Sequence, residues 1–492
     1  MPENQSSYRS IMKATSMFGG VQVFNILIAI IRSKIVAVLL GPAGMGIIGL
    51  LTAATGMLSS LTNFGVGVSA VRNVAEAKSK GNETRIATII IVLRRLVWIT
   101  GTLGTLVTLI LSPWLSQLTF GNKDYTLAFI WIAITLLFKQ LTSGQLALLQ
   151  GMRKLKYLAK ANLYGSFFGL LVTMPLYYKF GFDAIVPVII ITSLISLLFS
   201  WYFSKKIIIK HVRVSKIRTI AESKSMLTMG FMISLSGLIT LGASYIVRIF
   251  ISNKGGISDV GLYNAGFAII NTYVGLIFSA MSADYYPRLS AVAYDNKLSK
   301  QTINQQAEIV LLILAPILLV LLVFINWAVL LLYSEEFISI NTMIYWASLG
   351  MFFKAASWSI ATIFLAKGNS KLFLVNELIT NIYLLIFNIL GYNYFGLTGL
   401  GLSFLLAYFI YLIQVYIIAK IKYGFKYEYA FIKIFLIQFL LAICSFLVVK
   451  FIGNPNAYFI GVILILISSW YSFKELDKRI GIGEIIKSIF KN

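Results

Sequence analysis

The chain has 492 residues, 59% hydrophobic and 12% charged, with a mean hydropathy of +0.86; soluble domains carry about 25% charged residues, so a soluble globular protein is excluded. Its 42 Lys and Arg against 17 Asp and Glu give a formal charge of +25, which in a soluble chain would suggest nucleic acid and here has to be tested against loop position. A single cysteine, Cys444, and a single histidine, His211, exclude an internal disulfide framework, a cysteine metal cluster and a His-rich metal site.

The N-terminal stretch MPENQSSYRSIMK is polar and runs into an apolar segment without an A-x-A site, so no removable signal peptide is expected. Apolar runs, each long enough to cross about 30 Å of hydrocarbon, then follow near 15–40, 45–69, 87–111, 126–150, 158–179 and 184–203. A second set lies near 225–251, 260–282, 306–333, 341–366, 373–394 and 398–419, and a last pair near 432–452 and 457–473. This predicts an all-α polytopic membrane protein with 14 transmembrane helices. Aromatic residues gather at span ends, as at Tyr177, Tyr178, Trp201, Tyr202, Tyr392 and Tyr394. Cations fall on alternate loops: Arg72 to Arg85, Arg153 to Lys160, Lys205 to Lys224, Arg288 to Lys300, Lys367 with Lys371, and Lys420 to Lys426. The positive-inside rule therefore places both termini in the cytoplasm. The excess charge is accounted for by topology and attraction to anionic membrane lipids, with no nucleic acid.

Sliding the chain along itself exposes a period near 215 residues. Arg32 falls on Arg248 and Arg72 on Arg288 at a shift of 216; Lys139 falls on Lys354 and Phe180-Gly181 on Phe395-Gly396 at 215; Gly151 and Lys154 fall on Gly368 and Lys371 at 217. Repeats of this kind are a common plan for transporters. The expected organisation is a six-helix lobe at 1–204, a cytoplasmic amphipathic linker at 205–224, a second six-helix lobe at 225–420, and two additional helices with a basic cytoplasmic tail at 421–492. An even number of spans per lobe makes the lobes parallel. His211, in the linker, reads as an interfacial bystander.

The intramembrane cations singled out are Arg32, Lys34, Lys139, Arg248 and Lys354. Each costs a few kcal/mol if it sits near a helix centre, roughly 3 kcal/mol on insertion scales. Acids are fewer: Glu377 is well inside a span, with Asp284 and Glu308 near span ends. A surplus of intramembrane cations fits a hydrated cavity that receives an anion, whose charge supplies the missing partner. The competing reading is snorkelling toward an interface, and Lys34 lies about 200° around the helix from Arg32, so both cannot face one cavity. Arg32, Arg248, Lys139 and Lys354 are the candidate anion-binding residues. Glu377 is either a salt-bridged acid or an ion-coupling group. The GPAGMG stretch at 41–46 lacks a Lys-Ser/Thr and a βαβ setting and reads as a turn between spans, Cys444 as a packed small residue, and Gly65, Gly67, Gly101 and Gly104 as points of close helix approach.

The segments IRSKIVAVLLGPAGMGIIGL, NFGVGVSAVRNVAEA and GMRKLKYLAKANLYG, together with the doubled six-span core and two extra spans, resemble the polysaccharide-transporter branch of the MOP superfamily, specifically Wzx-type O-antigen flippases. The resemblance runs over essentially the whole chain and is strongest in the first 80 residues. It implies two six-helix bundles facing each other in a MATE-like V around a central cavity that opens alternately to either side. It also implies a substrate: an oligosaccharide on undecaprenyl pyrophosphate, moved from the inner to the outer leaflet of the bacterial inner membrane. No cofactor and no enzymatic activity are implied; a coupling ion (H+ or Na+) and other polysaccharide assembly proteins are the expected partners. On this reading Arg32 and Arg248 clamp the pyrophosphate, and Arg72 and Arg288 gather it at the cytoplasmic mouth. A peptidoglycan-precursor (lipid II) flippase is the nearest alternative. A drug exporter would be expected to bury carboxylates in the first lobe, whereas Glu76, Glu83, Asp124 and Asp183 lie in loops; a membrane polymerase would need a large external loop with acid-base residues.

Overall fold

The computed structural model describes residues 2–208, 212–453 and 455–480, with side chains from residue 24 at most positions. All regular structure among these residues is helical. That outcome is dictated by the solvent, because hydrocarbon offers no partner for backbone N–H and C=O groups and a helix satisfies them within one segment. Ten segments among the described residues are long and apolar enough to span a bilayer. The chain is therefore a multi-pass membrane protein.

The first half comprises α1 (Pro2–Thr62), α2 (Val66–Ser79), α3 (Glu83–Phe120), α4 (Thr126–Ile132), α5 (Ile134–Gly151), α6 (Leu155–Phe180), α7 (Ile185–Lys205) and α8 (Lys216–Gly255). The second half comprises α9 (Ile257–Ala268), α10 (Leu276–Ala291), α11 (Asn296–Val323), α12 (Ile325–Leu332), α13 (Asn341–Ala366), α14 (Ser370–Tyr423), α15 (Tyr429–Phe451) and α16 (Asn456–Ile480). A π-helical turn, Ile269–Val274, joins α9 to α10, and a 3-10 turn, Gly181–Ala184, joins α6 to α7.

Two helices are broken internally. In α1 the break is at Gly41 (φ 60°, ψ −166°), and in α14 at Gly396 (φ 56°, ψ −139°). Only glycine adopts such backbone without strain, which is why the GPAGMG stretch interrupts its helix. Positive φ recurs at a fixed interval: Gly41 and Gly256, Arg153 and Gly368, and Gly181 and Gly396 each stand 215 positions apart.

The chain divides into two compact units, Met1–Gly261 and Leu262–Asn492. In the first, α6 packs on α7 and α3 on α5, and α8 lies against α1, α2 and α3. The sequence boundary falls near residue 225, so α8 associates with the unit that precedes it. Backbone contact is the reason: Gly65 and Gly230 meet so closely that a Cβ on Gly65 would stand 2.1 Å from the Gly230 carbonyl oxygen. Tyr245 of α8 also shares a short hydrogen bond with Thr119 of α3, and Arg85 reaches Glu222 through a two-pronged ion pair. In the second unit α13 packs on α14, while α11 is enclosed by α13, α15 and α16 and buries Leu311, Leu314, Leu318, Leu319 and Leu322.

The expected linker at 205–224 is divided between elements: α7 ends at Lys205, residues 212–215 are non-helical, and α8 already begins at Lys216. Val214 is buried among Val66, Ala70 and Val92, and its carbonyl accepts from Arg95 at 3.3 Å, so this linker residue belongs to a protein core. His211 lies outside the described residues. Cys444 is exposed, because α15 covers α11 with one stripe and leaves its other face for lipid.

Candidate functional site

A cavity of about 880 Å³ lies within the first unit, lined by α1, α2, α5, α6, α7 and α8. Arg32, Arg72 and Lys139 all line it, and among the described residues no Asp or Glu does. Arg32 comes from α1 and extends toward α6, where its guanidinium donates a long bond to the Ser166 carbonyl oxygen at 3.5 Å. Gly169 makes the room: a Cβ there would stand 3.2 Å from the Arg32 Nη2. The Arg32 Nε is buried with no hydrogen-bond partner, an arrangement that costs free energy unless a ligand completes it.

Lys139 sits on α5. Its neighbour Gln140 is buried and donates to Thr100 Oγ1 of α3 at 2.8 Å, which fixes the rotation of α5 about its axis. Lys139 has no hydrogen bond or ion pair among the described residues. Arg72 projects from α2, held in place by the tight α2–α8 crossing at Gly65.

Hydroxyls fill much of the remaining wall. Thr142 donates to the Phe138 carbonyl at 2.8 Å, Thr192 to Val188 at 2.7 Å, Ser193 to Ile189 at 2.7 Å and Ser196 to Thr192 at 3.0 Å. Each proton is thereby committed to the helix, and the oxygen lone pairs are left as acceptors. The cavity thus offers cationic donors for an anion and hydroxyl acceptors for a ligand that carries O–H groups.

The other sequence candidates lie elsewhere. Arg248 is on α8 but does not line this cavity; its guanidinium folds back onto the Ser244 carbonyl at 3.0 Å and the Ser244 hydroxyl. In the second unit Lys354 donates to Asn271 Oδ1 at 2.8 Å, within the π-helical turn, and lies 5.1 Å from the Tyr408 ring and 5.5 Å from that of Phe404. Arg288 is bonded to Gln306 Oε1 at 2.8 Å and paired with Asp284 at 3.6 Å. Glu377 accepts from the Tyr411 hydroxyl at 3.2 Å, inside a polar cluster where Gln414 donates to Asn376 Oδ1 at 2.6 Å.

The sequence reading missed the hydroxyl wall, although TSLIS at 192–196 displays it at helical spacing. It also missed Arg479, which was assigned to the surface tail: α16 continues to Ile480, and Arg479 pairs with the buried Glu308 at 2.6 Å and with Glu475 at 2.6 Å.

The fold is that of transporters of the MOP superfamily. The chain superimposes on the lipid II flippase MurJ in an inward closed conformation with a TM-score of 0.71, at 13% identity over 95% of this chain and 99% of that one. It superimposes on an inward-facing multidrug-resistance MATE transporter with a TM-score of 0.66, at 16% identity over 82% and 94%. Residues 35–342 match the polysaccharide biosynthesis protein family, and the chain belongs to it. A curated relative, the lipid III flippase of Escherichia coli (strain K12), is 21% identical over 406 residues, 82% of this chain and 96% of its own length.

Proposed function

We propose that the protein is a flippase that carries undecaprenyl-pyrophosphate-linked oligosaccharide, an O-antigen or related surface-polysaccharide repeat unit, from the cytoplasmic to the periplasmic leaflet of the bacterial inner membrane. The observation that carries this reading is the cavity, which among the described residues presents three cations, no carboxylate and a wall of hydroxyl acceptors. A sugar head group cannot cross hydrocarbon because each desolvated hydroxyl is costly, and a pyrophosphate more so. A hydrated cavity with Arg32, Lys139 and Arg72 neutralises the anion, while Thr142, Thr192, Ser193 and Ser196 accept from sugar hydroxyls. The prenyl tail never needs to leave the lipid. A MATE-like drug exporter is disfavoured because a cationic drug would meet three cations and no acid.

The finer architecture belongs to the same proposal. The three interrupted segments, at Gly41, Gly181–Ala184 and Gly396, are read as two spans each, and α8 as a further one, which makes fourteen. The 215-residue recurrence of positive φ supports two repeated six-helix lobes followed by α15 and α16. Cation bias supports cytoplasmic termini. Alternating access, Lys354, Arg248 and Arg288 as further substrate contacts, and Glu377 with Tyr411 and Asn376 as the site of H+ or Na+ coupling, complete the proposal. The protein acts as a carrier and performs no bond chemistry.

The test is transport of lipid-linked oligosaccharide into the outer leaflet at matched membrane levels. A charge-assisted hydrogen bond is worth roughly 1.5 to 3 kcal/mol, so Arg32→Ala should slow transport by about ten- to a hundredfold. Arg32→Lys should restore part of it, since the charge remains and the planar fork is lost. Transport of undecorated lipid II at an equal rate would favour the peptidoglycan-precursor alternative.

A further inference from the structure

A second, smaller pocket lies on the other side of α5. It measures about 280 Å³ and is framed by α3, α5 and α7, with Arg94, Trp98, Gln145, Trp201 and Lys205 among its lining and no acidic residue among the described residues. The helix therefore shows the large cavity through Lys139 and Ser143, and this pocket through Leu141 and Gln145.

The two walls carry the same signature in opposite chain directions. On α3 the cation Arg94 precedes Trp98 by one turn; on α7, which runs the other way, Lys205 follows Trp201 by one turn. Both cations thus stand at the cation-rich end of their helices relative to the tryptophan. The level is marked by two breaks: α7 ends at Lys205, and the non-helical residue Val214 accepts from Arg95, the neighbour of Arg94. Irregular backbone belongs at the edge of the hydrocarbon, so the cations sit at phosphate depth and the indoles just beneath, where interfacial tryptophan is favoured.

The polar groups have capacity to spare. Arg94 has no hydrogen bond or ion pair among the described residues. Lys205 rests over the Trp201 ring at 3.7 Å, which leaves its three donors unused by oxygen. Gln145 accepts from Ser200 Oγ at 2.6 Å, so its amide N–H groups remain available. Trp98 and Trp201 are 55% and 47% exposed, large apolar surfaces on the rim of a cationic pocket.

We infer that this pocket is a specific site for an anionic phospholipid of the leaflet facing the cation-rich loops, with the headgroup phosphate between Arg94 and Lys205 and the glycerol and upper acyl carbons against Trp98 and Trp201. Basic pockets between transmembrane helices on the cytoplasmic side take anionic headgroups by this chemistry. The site is independent of the transport cavity, and nothing in it requires the pyrophosphate substrate.

The full chain in phosphatidylcholine nanodiscs, with a minority of phosphatidylglycerol bearing brominated acyl chains, tests it. Bromine quenches indoles it touches, and subtracting the Trp98→Phe, Trp201→Phe variant isolates these two. The brominated phosphatidylglycerol should quench them well beyond brominated phosphatidylcholine at equal mole fraction. Each cation near an anionic surface contributes about 1 kcal/mol, so Arg94→Gln or Lys205→Gln should weaken the preference about fivefold and the pair about thirtyfold. The charge-preserving pair Arg94→Lys, Lys205→Arg should retain it, which separates lost charge from lost fold. Equal quenching by the two headgroups, retained preference in the Gln pair, or its loss in the charge-preserving pair would overturn the site. Relief of quenching by dilute inorganic phosphate, or by a lipid-linked pyrophosphate at a lower concentration than phosphatidylglycerol, would assign the pocket to those anions and reject the phospholipid.

Discussion

Arg32 and Lys139 line one cavity, while Arg248 is folded onto its own helix. The proposed repeat pairs Arg32 with Arg248, but equivalence in a repeat is a statement about backbone positions and does not place two side chains on one ligand. The double-mutant cycle reads the difference. If one anion is shared, Arg32→Ala and Lys139→Ala should be non-additive in outer-leaflet transport, with a coupling of about 0.5 to 3 kcal/mol, whereas Arg32→Ala with Arg248→Ala should add within about 0.5 kcal/mol. Additivity of the first pair would separate Arg32 and Lys139 into independent sites. That intramembrane cations would line a cavity was legible from their excess over acids. Which cations share it was not, because that depends on helix rotation, set here by contacts such as Gln140 to Thr100 and the space left by Gly169.

At the scale of elements, the two sharpest dependencies lie at helix crossings. The α2–α8 contact is backbone on backbone: a Cβ on Gly230 would stand 2.3 Å from the Phe64 carbonyl oxygen, whereas nothing lies within 4 Å of one on Gly56. Gly230→Ala should therefore destabilise the protein in detergent by roughly 1 to 3 kcal/mol, while Gly56→Ala should be neutral; thermal unfolding followed by size-exclusion recovery measures both. The other crossing joins α16 to α11. Arg479→Met would leave the Glu308 carboxylate, whose side chain is 9% exposed, without its countercharge. Removing one partner of a buried pair costs about 3 to 5 kcal/mol, and replacing both with uncharged residues recovers most of it, so Glu308→Gln added to Arg479→Met should regain the lost thermal stability. The sequence placed the helices well and their ends less well. Basic residues such as Arg479 read as a surface tail, and only the structure brings Arg479, near the end of α16, to the buried acid Glu308 on a distant helix.

For the whole molecule, the cation bias of alternate loops gives the next expectation: reporters fused after Arg72, Lys154, Arg218 and Asn492 should all register the cytoplasmic side. A periplasmic signal at Asn492 with the other three unchanged would remove one span from α15 and α16. The sequence by itself determined that the chain is a helical, multi-pass membrane protein, since apolar length and loop charge are one-dimensional properties that the bilayer reads directly. Tertiary structure alone decided that α8 packs with the preceding unit, that the linker's Val214 enters a protein core, and that Arg32, Arg72 and Lys139 line one cavity walled by hydroxyl acceptors. The physical reason is that lipid exerts the same hydrophobic force on every face of an apolar helix, so which face meets which neighbour is chosen by close packing, glycine contacts and buried polar partners brought together from distant parts of the chain.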